Sequence, residues 1–438
     1  MTLKNILQQA VLMIAVTLSS AAMAEQAFTL EDCINLGMEN NPAVHSSRMS
    51  VKAARAQVSE INAARLPKIS LSAGYTRLSE VDPLTFHLSE TQSLSVFPNI
   101  PDYYSSEITI TQPLFTGFKL EKSAAAGRQN TKAADHDLES TKRNIELDIT
   151  TAYWNLVKAH KYLEIINEEV QRQEKHLTDV NNLFDQGLAT RNDVLRIEVQ
   201  HSNALLQQVD ADNAVKLART HLENVVGKPL TGEIDLTVPA SEIDQIEDLP
   251  QLLHTAQSTR PEAMAMAYRV RAAKTSVGIA KADWLPQIAL VGSYTYDRPN
   301  ERIQPMRDEF NDTWCVGAYL TYDIWNWLST KHKTDQAKAS YAQAVDAQKQ
   351  LSDMITLQVT SDYLNLQRAI ERIDLSRKNL DQAEESYRIM HDLYQHGMSN
   401  TTDMLDASVM RLQAETNHST ALIDFEIAKA QLRISSGE

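Results

Sequence analysis

The sequence predicts a mainly α-helical protein with a small β part, organised as two internal structural repeats. Residues Asn41–Thr76 align with Arg260–Thr295 at a constant separation of 219 residues. Further on, "FDQGLATRNDVL" from Phe184 aligns with "YQHGMSNTTDML" from Tyr394 at a separation of 210 residues. A long series of apolar residues at heptad spacing precedes the first of these turns. Duplications of this size indicate two copies of one structural unit.

The N-terminus is typical of a secretory signal peptide, with a membrane anchor as the alternative. Lys4 is basic, Ala10–Leu18 is apolar, and Ala22-Met23-Ala24 matches a cleavage site. About nine apolar residues are too few to span a bilayer. We therefore divide the chain into a signal peptide (1–24), repeat 1 (25–230), an equatorial linker (231–258) and repeat 2 (259–438).

The first half of each repeat predicts a helix and two strands. In copy one the helix Glu31–Arg65 ends before Pro67, because proline lacks a donor and restricts the preceding residue. "ISLSAGYT", from Ile69, alternates apolar and polar residues and predicts a strand. A polar loop over Arg77–Ser105 leads to a second strand, "EITITQPLF".

The second half of each repeat predicts a long helix, Phe118–Gln186, and a shorter one, Arg191–Val226. The long helix carries coiled-coil spacing at Ile145, Ile149, Ala152, Leu156, Ala159, Leu163, Ile166 and Val170. A helix of this length would extend over roughly 100 Å. The two shorter helices of the repeat, stacked end to end, would have about the same length and could lie beside it. The corresponding helices of copy two are Leu328–His396, Asn400–Arg433 and Gln251–Trp284.

The four predicted strands fit either a transmembrane barrel or a small soluble sheet. Their length and alternation suit a barrel, and aromatic residues gather at their ends. These are Phe115, Phe118, Tyr294, Tyr296, Trp314, Tyr322, Trp325 and Trp327. Four strands cannot close a barrel in lipid, where open edges are not tolerated. Several chains would have to share it, and three would supply twelve strands.

Composition and motifs argue against nucleic-acid binding and against an enzyme. The chain of 438 residues has a net charge of −15, whereas phosphate binding needs a basic face. Its 12 histidines form no metal motif, and no phosphate loop or nucleophile elbow occurs, so we predict no metal, cofactor or catalytic residues. Acidic pairs such as Glu168-Glu169 are interpreted as solvated. Cys33 and Cys315 are interpreted as buried free thiols, with a disulfide as the alternative.

In these features the chain resembles the TolC-like family of outer-membrane efflux and secretion channels. The resemblance covers nearly the whole mature chain. It is carried by "LPKISLSAGYT" and "LPQIALVGSYT", "TQPLFTGFK", and the duplicated turns after Phe184 and Tyr394. It implies a homotrimer with a twelve-stranded barrel in outer-membrane lipid and a helical tunnel in the periplasm. It also implies a periplasmic adaptor and an inner-membrane transporter as partners.

The duplicated turns would be the tips of two helical hairpins that close the tunnel. Gly187 and Gly397 are expected to cap the long helices in the left-handed conformation. Thr190 and Asn400 precede the next helices, where Asp193 and Asp403 fit either a capping or a pore-lining role. Through the resemblance, these turns would also contact the adaptor.

The family's pore acids match Asp403 and Asp406, and Asp406 comes too late in its helix to cap. Asp193 and Tyr394 match the acid and the aromatic residue of the family's tip latch. The arginine of that latch is replaced by Ser399, and Arg191 is a possible substitute.

We therefore predict passive export of small molecules from a tripartite efflux pump through the outer membrane of a Gram-negative bacterium. The alternatives are an exit duct for type I protein secretion and a periplasmic coiled-coil adaptor without a pore.

Overall fold

A computed structural model describes residues 27–82, 85–89, 92–95, 99–231, 233–237 and 247–437. The predicted signal peptide lies outside these residues, as does part of the predicted linker. Contacts divide the chain into two compact units. The helical unit comprises residues 1–49, 136–264 and 351–438, and the sheet unit comprises residues 50–135 and 265–350. Each unit contains segments of both predicted repeats.

The described residues form eight α-helices and six strands. The helices are α1 Leu30–Asn40, α2 Pro42–Ala63, α3 Lys119–Asp185, α4 Arg191–Val226, α5 Leu249–Thr259, α6 Pro261–Ala282, α7 Ser329–Gln395 and α8 Thr401–Ser436. The strands are β1 Lys68–Arg77, β2 Thr85–Ser89, β3 Gln92–Ser95, β4 Asp102–Phe115, β5 Gln287–Asp297 and β6 Asn311–Thr321.

The long helices α3 and α7 begin and end within one residue of their predicted bounds. The prediction of one continuous first helix in each copy is wrong. Asn41 and Arg260 are extended, with ψ of 126° and 129°, and each separates two helices. The reason is the proline that follows each of them, because proline disfavours the helical conformation of the preceding residue.

The predicted polar loop Arg77–Ser105 is wrong in part. Strand β4 begins at Asp102, and β2 and β3 pair as a small hairpin within the loop. The Tyr75 hydroxyl and the Arg77 guanidinium both donate to Asp102, at 2.8 and 3.0 Å. Arg77 and Asp102, which were predicted to lie in the loop, therefore join the ends of β1 and β4.

The main sheet is antiparallel, in the order β1-β4-β5-β6, with β1 and β6 at its edges. The register aligns apolar residues across all four strands, as in the row Leu71, Ile108, Tyr294 and Trp314. The opposite face aligns small and polar residues, as in the row Ser70, Thr109, Ser293 and Cys315. The sheet therefore has one apolar and one polar face. Within one chain the edge strands β1 and β6 are largely exposed, whereas most residues of β4 and β5 are half-buried.

The core of the helical unit is built on the predicted heptad series. Ile149, Leu156 and Ile166 of α3 are fully buried. Ile149 and Leu156 belong to a cluster that also contains Leu222 of α4 and Cys33 of α1. A second cluster joins α5, α7 and α8 around Val359 and Phe425.

Both cysteines are free, as favoured from the sequence. Cys33 is buried as predicted, but Cys315 is exposed, because it lies on the polar face of the edge strand β6. Among the described helices, none has the length and apolar character that crossing a membrane requires.

Candidate functional site

The two predicted turns are built alike. Gly187 and Gly397 have φ of 74° and 71°, in the left-handed region that glycine adopts without strain. In the first turn the Leu188 N–H donates to the Leu183 carbonyl at 2.8 Å, and in the second the Met398 N–H donates to the Leu393 carbonyl at 2.8 Å. These bonds satisfy carbonyl groups at the ends of α3 and α7.

Both turns end in side-chain caps. The Asp193 N–H donates to the Thr190 hydroxyl at 3.2 Å, and the Thr190 N–H donates to the Asp193 carboxylate at 2.9 Å. In the second turn the Asp403 N–H donates to the Asn400 side-chain oxygen at 2.9 Å. The pKa of Asp193 is lowered, first by hydrogen bonds from Thr190 and further by the Thr401 hydroxyl and the Arg196 charge. The capping interpretation of Asp193 and Asp403 thus has a direct geometric basis.

The two tips contact each other within one chain. The Arg196 guanidinium donates to the Thr402 hydroxyl at 2.6 Å. Behind this contact, Val180, Val194, Ile197 and Leu405 form a buried apolar cluster. Sequence reasoning missed Arg196, although its place one turn after the capping Asp193 could have indicated a position near the tip.

The predicted gate residues are only partly brought together. Asp403 and Asp406 are exposed on the first turns of α8, whereas Tyr394 is half-buried at the end of α7. Tyr394 lines a small cavity with Ile197 and Met404. No hydrogen bond joins the Tyr394 hydroxyl to Asp193 in the described part of the chain. Among the described residues, Asp193 and Tyr394 are therefore not joined directly, and their part in a latch stays a prediction.

The two candidate replacements for the family's arginine do not bridge the tips. The Ser399 hydroxyl donates to the Met390 sulfur at 2.9 Å, inside its own hairpin. The Arg191 guanidinium lies 3.9 Å from Glu198, on its own helix. The contacts between the tips come instead from Arg196, which donates to Thr402, and from the Thr401 hydroxyl, which helps to lower the pKa of Asp193.

A buried polar cluster, hereafter the polar cluster, lies a few turns before the tips. It joins α3, α7 and α8 and consists of Glu169, Arg172, Gln173, His176, Tyr387, His391, Arg411 and Glu415. Glu169, Gln173 and His176 are almost completely buried. The interpretation of Glu169 as a solvated acid is wrong, because α8 covers it and the Ser408 hydroxyl reaches its carboxylate.

The histidines of the polar cluster pack against one another. Nε2 of His176 lies 3.0 Å from the Tyr387 hydroxyl, and the rings of His176 and His391 are 5.6 Å apart. Burial lowers the pKa of His176, and the neighbouring His391 and Lys175 lower it further, against Asp179 and Glu169. Burial raises the pKa of Glu415 despite the nearby charges of Arg172 and Arg411.

Four buried polar atoms of this cluster have no hydrogen-bond partner. They are Oε1 of Gln173, Nδ1 of His391, Nε of Arg411 and Oε2 of Glu415. Unpaired buried polar groups cost free energy, so this part of the packing is weaker than the apolar core. No group of three or more metal-ligating side chains occurs anywhere in the described ranges.

Comparisons with known proteins agree with this architecture. One family model, described as outer membrane efflux protein, matches residues 33–228 and 252–438. The outer membrane protein TolC of Vibrio cholerae is 23% identical over 426 residues, which cover 96% of this chain and 92% of that protein. The alkaline protease secretion protein AprF of Pseudomonas aeruginosa is 23% identical over 425 residues, which cover 95% and 86%.

Solved structures share the fold. The channel CusC superposes with a TM-score of 0.79 at 16% identity, over 93% of this chain and 92% of that one. The open state of the Neisseria gonorrhoeae MtrE outer membrane channel superposes with a TM-score of 0.76 at 18% identity, over 93% and 88%.

Proposed function

Because the chain belongs to the outer membrane efflux protein family, we propose that it forms a trimeric duct for the passive export of small molecules. The chain lies in the outer membrane of a Gram-negative bacterium, with its helical part in the periplasm.

The two-faced sheet with open edges is the observation that carries the proposal. Its apolar face suits lipid and its polar face suits a water-filled lumen. The edge strands β1 and β6 have 10 and 11 residues, and each leaves backbone groups unpaired on its outer side. In a bilayer these groups need partners, and β1 of a second copy can supply them to β6. Three copies would close twelve strands.

The helical unit supports the same assembly. Exposed apolar residues follow heptad spacing on α4 at Leu195, Val199, Leu206 and Val209. A similar series on α7 consists of Met354, Leu357, Leu364, Leu375 and Ile389. Uncovered series of this kind are typical of coiled-coil contacts with another chain. We assign them to contacts between copies.

The remaining partners follow from the family. An inner-membrane transporter would supply the energy, and a periplasmic adaptor would engage the hairpin tips around Gly187 and Gly397. The duct itself would perform no chemistry. A role in type I protein secretion is the second candidate, favoured by the likeness to the secretion protein AprF.

Cys315 provides a direct test of the duct. It lies on the polar face, with its sulfur 3.2 Å from the Ser293 hydroxyl, whereas Cys33 is buried in the helical unit. A cationic methanethiosulfonate reagent added to single channels in planar bilayers should therefore react with Cys315 alone. We expect up to three downward conductance steps, reversed by dithiothreitol, and no response from Cys315→Ser.

Other outcomes contradict the proposal. An unreactive Cys315 in bilayers would mean that its face is turned to lipid, and a single step would mean that one chain lines the pore. A protein without conductance that needs no detergent would favour the adaptor. If a strain without the gene accumulates dye, and the reintroduced gene returns the dye to a low level, small-molecule export is supported. Loss of a secreted protein without dye accumulation would favour secretion.

A further inference from the structure

We infer that the band where the strands meet the helices is a binding surface for anionic phospholipid headgroups. The band, hereafter the junction band, consists of residues 64–67, 116–118, 283–286 and 322–328, all in the sheet unit. It lies at the helix-proximal end of each strand of the main sheet: α2 precedes β1 and α6 precedes β5, whereas β4 leads into α3 and β6 leads into α7. In an outer-membrane protein with periplasmic helices, this end meets the periplasmic leaflet.

The junction band exposes an unusual density of large apolar side chains. Among them are Leu66, Trp284, Ile324, Trp325 and Trp327, and Trp327 is 83% exposed. The rings of Trp325 and Trp327 meet edge to face at 5.8 Å. Tryptophan favours the boundary between lipid tails and water, because its ring is apolar and its N–H needs a polar partner.

The backbone of the turn at Trp327 and Leu328 has a costly conformation. Trp327 and Leu328 have φ of 53° and 63°, a region that bulky residues rarely adopt. Hydrogen bonds support the turn: the Ser329 N–H donates to the Asn326 carbonyl at 3.0 Å, and the Asn326 amide donates to the buried Thr330 hydroxyl at 2.7 Å. The exposed Trp327 is thus part of a braced turn rather than a loose loop.

Basic side chains accompany the apolar ones. The band and the adjoining helix and strand ends contain seven basic residues, Arg65, Lys68, Lys119, Lys122, Lys281, Lys331 and Lys333. They contain five acidic residues, Glu60, Glu121, Asp283, Asp323 and Asp335. The region is therefore positively charged in a chain whose net charge is −15.

One carboxylate gathers lysines from two helices. Asp283 lies 3.2 Å from Lys119 of α3 and 3.2 Å from Lys333 of α7. Since one carboxylate cannot neutralise two ammonium groups, a positive charge remains beside the exposed tryptophans. Lys281 and Lys331 are exposed and take part in no ion pair within the described residues.

This combination selects for lipid charge. Apolar side chains at the boundary bind any phospholipid, whereas lysines near the surface favour headgroups with a net negative charge, by at most about five-fold for each lysine. Zwitterionic headgroups offer the same phosphate but cancel its charge. We therefore expect phosphatidylglycerol to bind the junction band more tightly than phosphatidylcholine.

Tryptophan quenching measures this preference directly. The full chain, carrying Trp154→Phe and Trp314→Phe, retains only the three tryptophans of the junction band. It is reconstituted in vesicles of brominated phosphatidylcholine or brominated phosphatidylglycerol, mixed with their unbrominated forms. The quenching curves give the relative binding constant of the two lipids at the band. At low salt we expect a several-fold preference for phosphatidylglycerol.

The substitutions Lys281→Gln and Lys331→Gln together should reduce this preference at least three-fold, and 0.5 M salt should reduce the wild-type preference similarly. The matched control is Lys378→Gln, an exposed lysine of the helical unit, which should leave the preference unchanged. Equal binding of the two lipids, or an unchanged preference in the double variant, would overturn the inference. Absence of quenching by either lipid would also overturn it, because protein would then cover the band.

Discussion

Acidification should loosen the tip end of the helical unit through His176. The side chain is 7% exposed, and its neighbours come from three helices. The charged groups that act on its pKa are Glu169, Lys175 and Asp179 of α3 and His391 of α7, and its Nε2 lies 3.0 Å from the Tyr387 hydroxyl. Arg172, Arg411 and Glu415 belong to the same polar cluster. Because the pKa of His176 is lowered in the packed state, the opened state binds more protons as pH falls below about 6.5.

The size of the effect follows from linkage. A histidine that stays neutral when packed and titrates near 6.5 when opened would lose at most about 1.4 kcal/mol of packing free energy between pH 7.5 and 5.5. That corresponds to about tenfold more of the opened state. Glu415 acts in the opposite direction, because its pKa is raised in the packed state and acid relieves the cost of burying its charge.

Hydrogen exchange of the full chain, corrected for the intrinsic effect of pH, measures this opening. The protection of amides between Leu177 and Asp185 should fall up to tenfold from pH 7.5 to 5.5. His176→Gln keeps a polar side chain but cannot titrate, so its protection should be nearly independent of pH, whatever its absolute level. The matched control His396→Gln changes an exposed histidine of the second tip and should respond like the wild type. Equal protection at both pH values in the wild type would refute the reasoning, as would an undiminished response in His176→Gln.

Three further perturbations test the packing and the tips. A Cβ at Gly37 would lie 2.2 Å from Cδ1 of the buried Ile149, so Gly37→Ala should destabilise α1 by about 1–3 kcal/mol. Ile149→Val removes that atom and should rescue the stability in a double-mutant cycle. Additive effects of the two substitutions on hydrogen exchange would contradict the clash. Thr190→Ala removes a cap and should weaken protection of the first turn of α4 by about 1 kcal/mol, with no change in the first turn of α8. Asp406→Ala should weaken block by multivalent cations in planar bilayers, whereas unchanged block and conductance would contradict a pore-lining role.

The sequence predicted the long helices well because their information is local and repeated. Ile149, Leu156 and Ile166 recur at heptad spacing, and a glycine ends each long helix. The break before Pro42 was missed, although the same rule had been applied correctly to Pro67. Proline is compatible with the first turn of a helix, so a proline within a helical pattern marks either an end or a beginning.

The polar cluster was missed for a different reason. After Val170 the apolar series continues at Leu177 and Val180. At heptad spacing, Gln173 occupies the position between Val170 and Leu177. A polar residue at that position indicates a buried polar contact. Gln173 itself donates to Glu169 on its own helix, whereas His176 and Glu169 contact Tyr387 and Ser408, more than 200 residues away on α7 and α8. Contacts at that separation cannot be predicted from local spacing, so neither the cluster nor its composition was predicted from the sequence.

These two kinds of packing lie at different places along α3 and differ in the free energy needed to separate the helices there. The apolar residues Ile149 and Leu156 are completely buried, and separating them from α1 and α4 would expose several side chains at once. Nearer the tip, the contacts of Gln173 and His176 include unpaired polar atoms, and charged groups there would regain water on opening. Separating the helices at the polar cluster therefore costs less than separating them at Ile149 and Leu156. Closer to the tip, Val180 and Val194 are again almost completely buried, in an apolar cluster, and the exposed bond of Arg196 to Thr402 lies beyond it. The weaker part of the packing is therefore the polar cluster itself, which lies between two apolar regions.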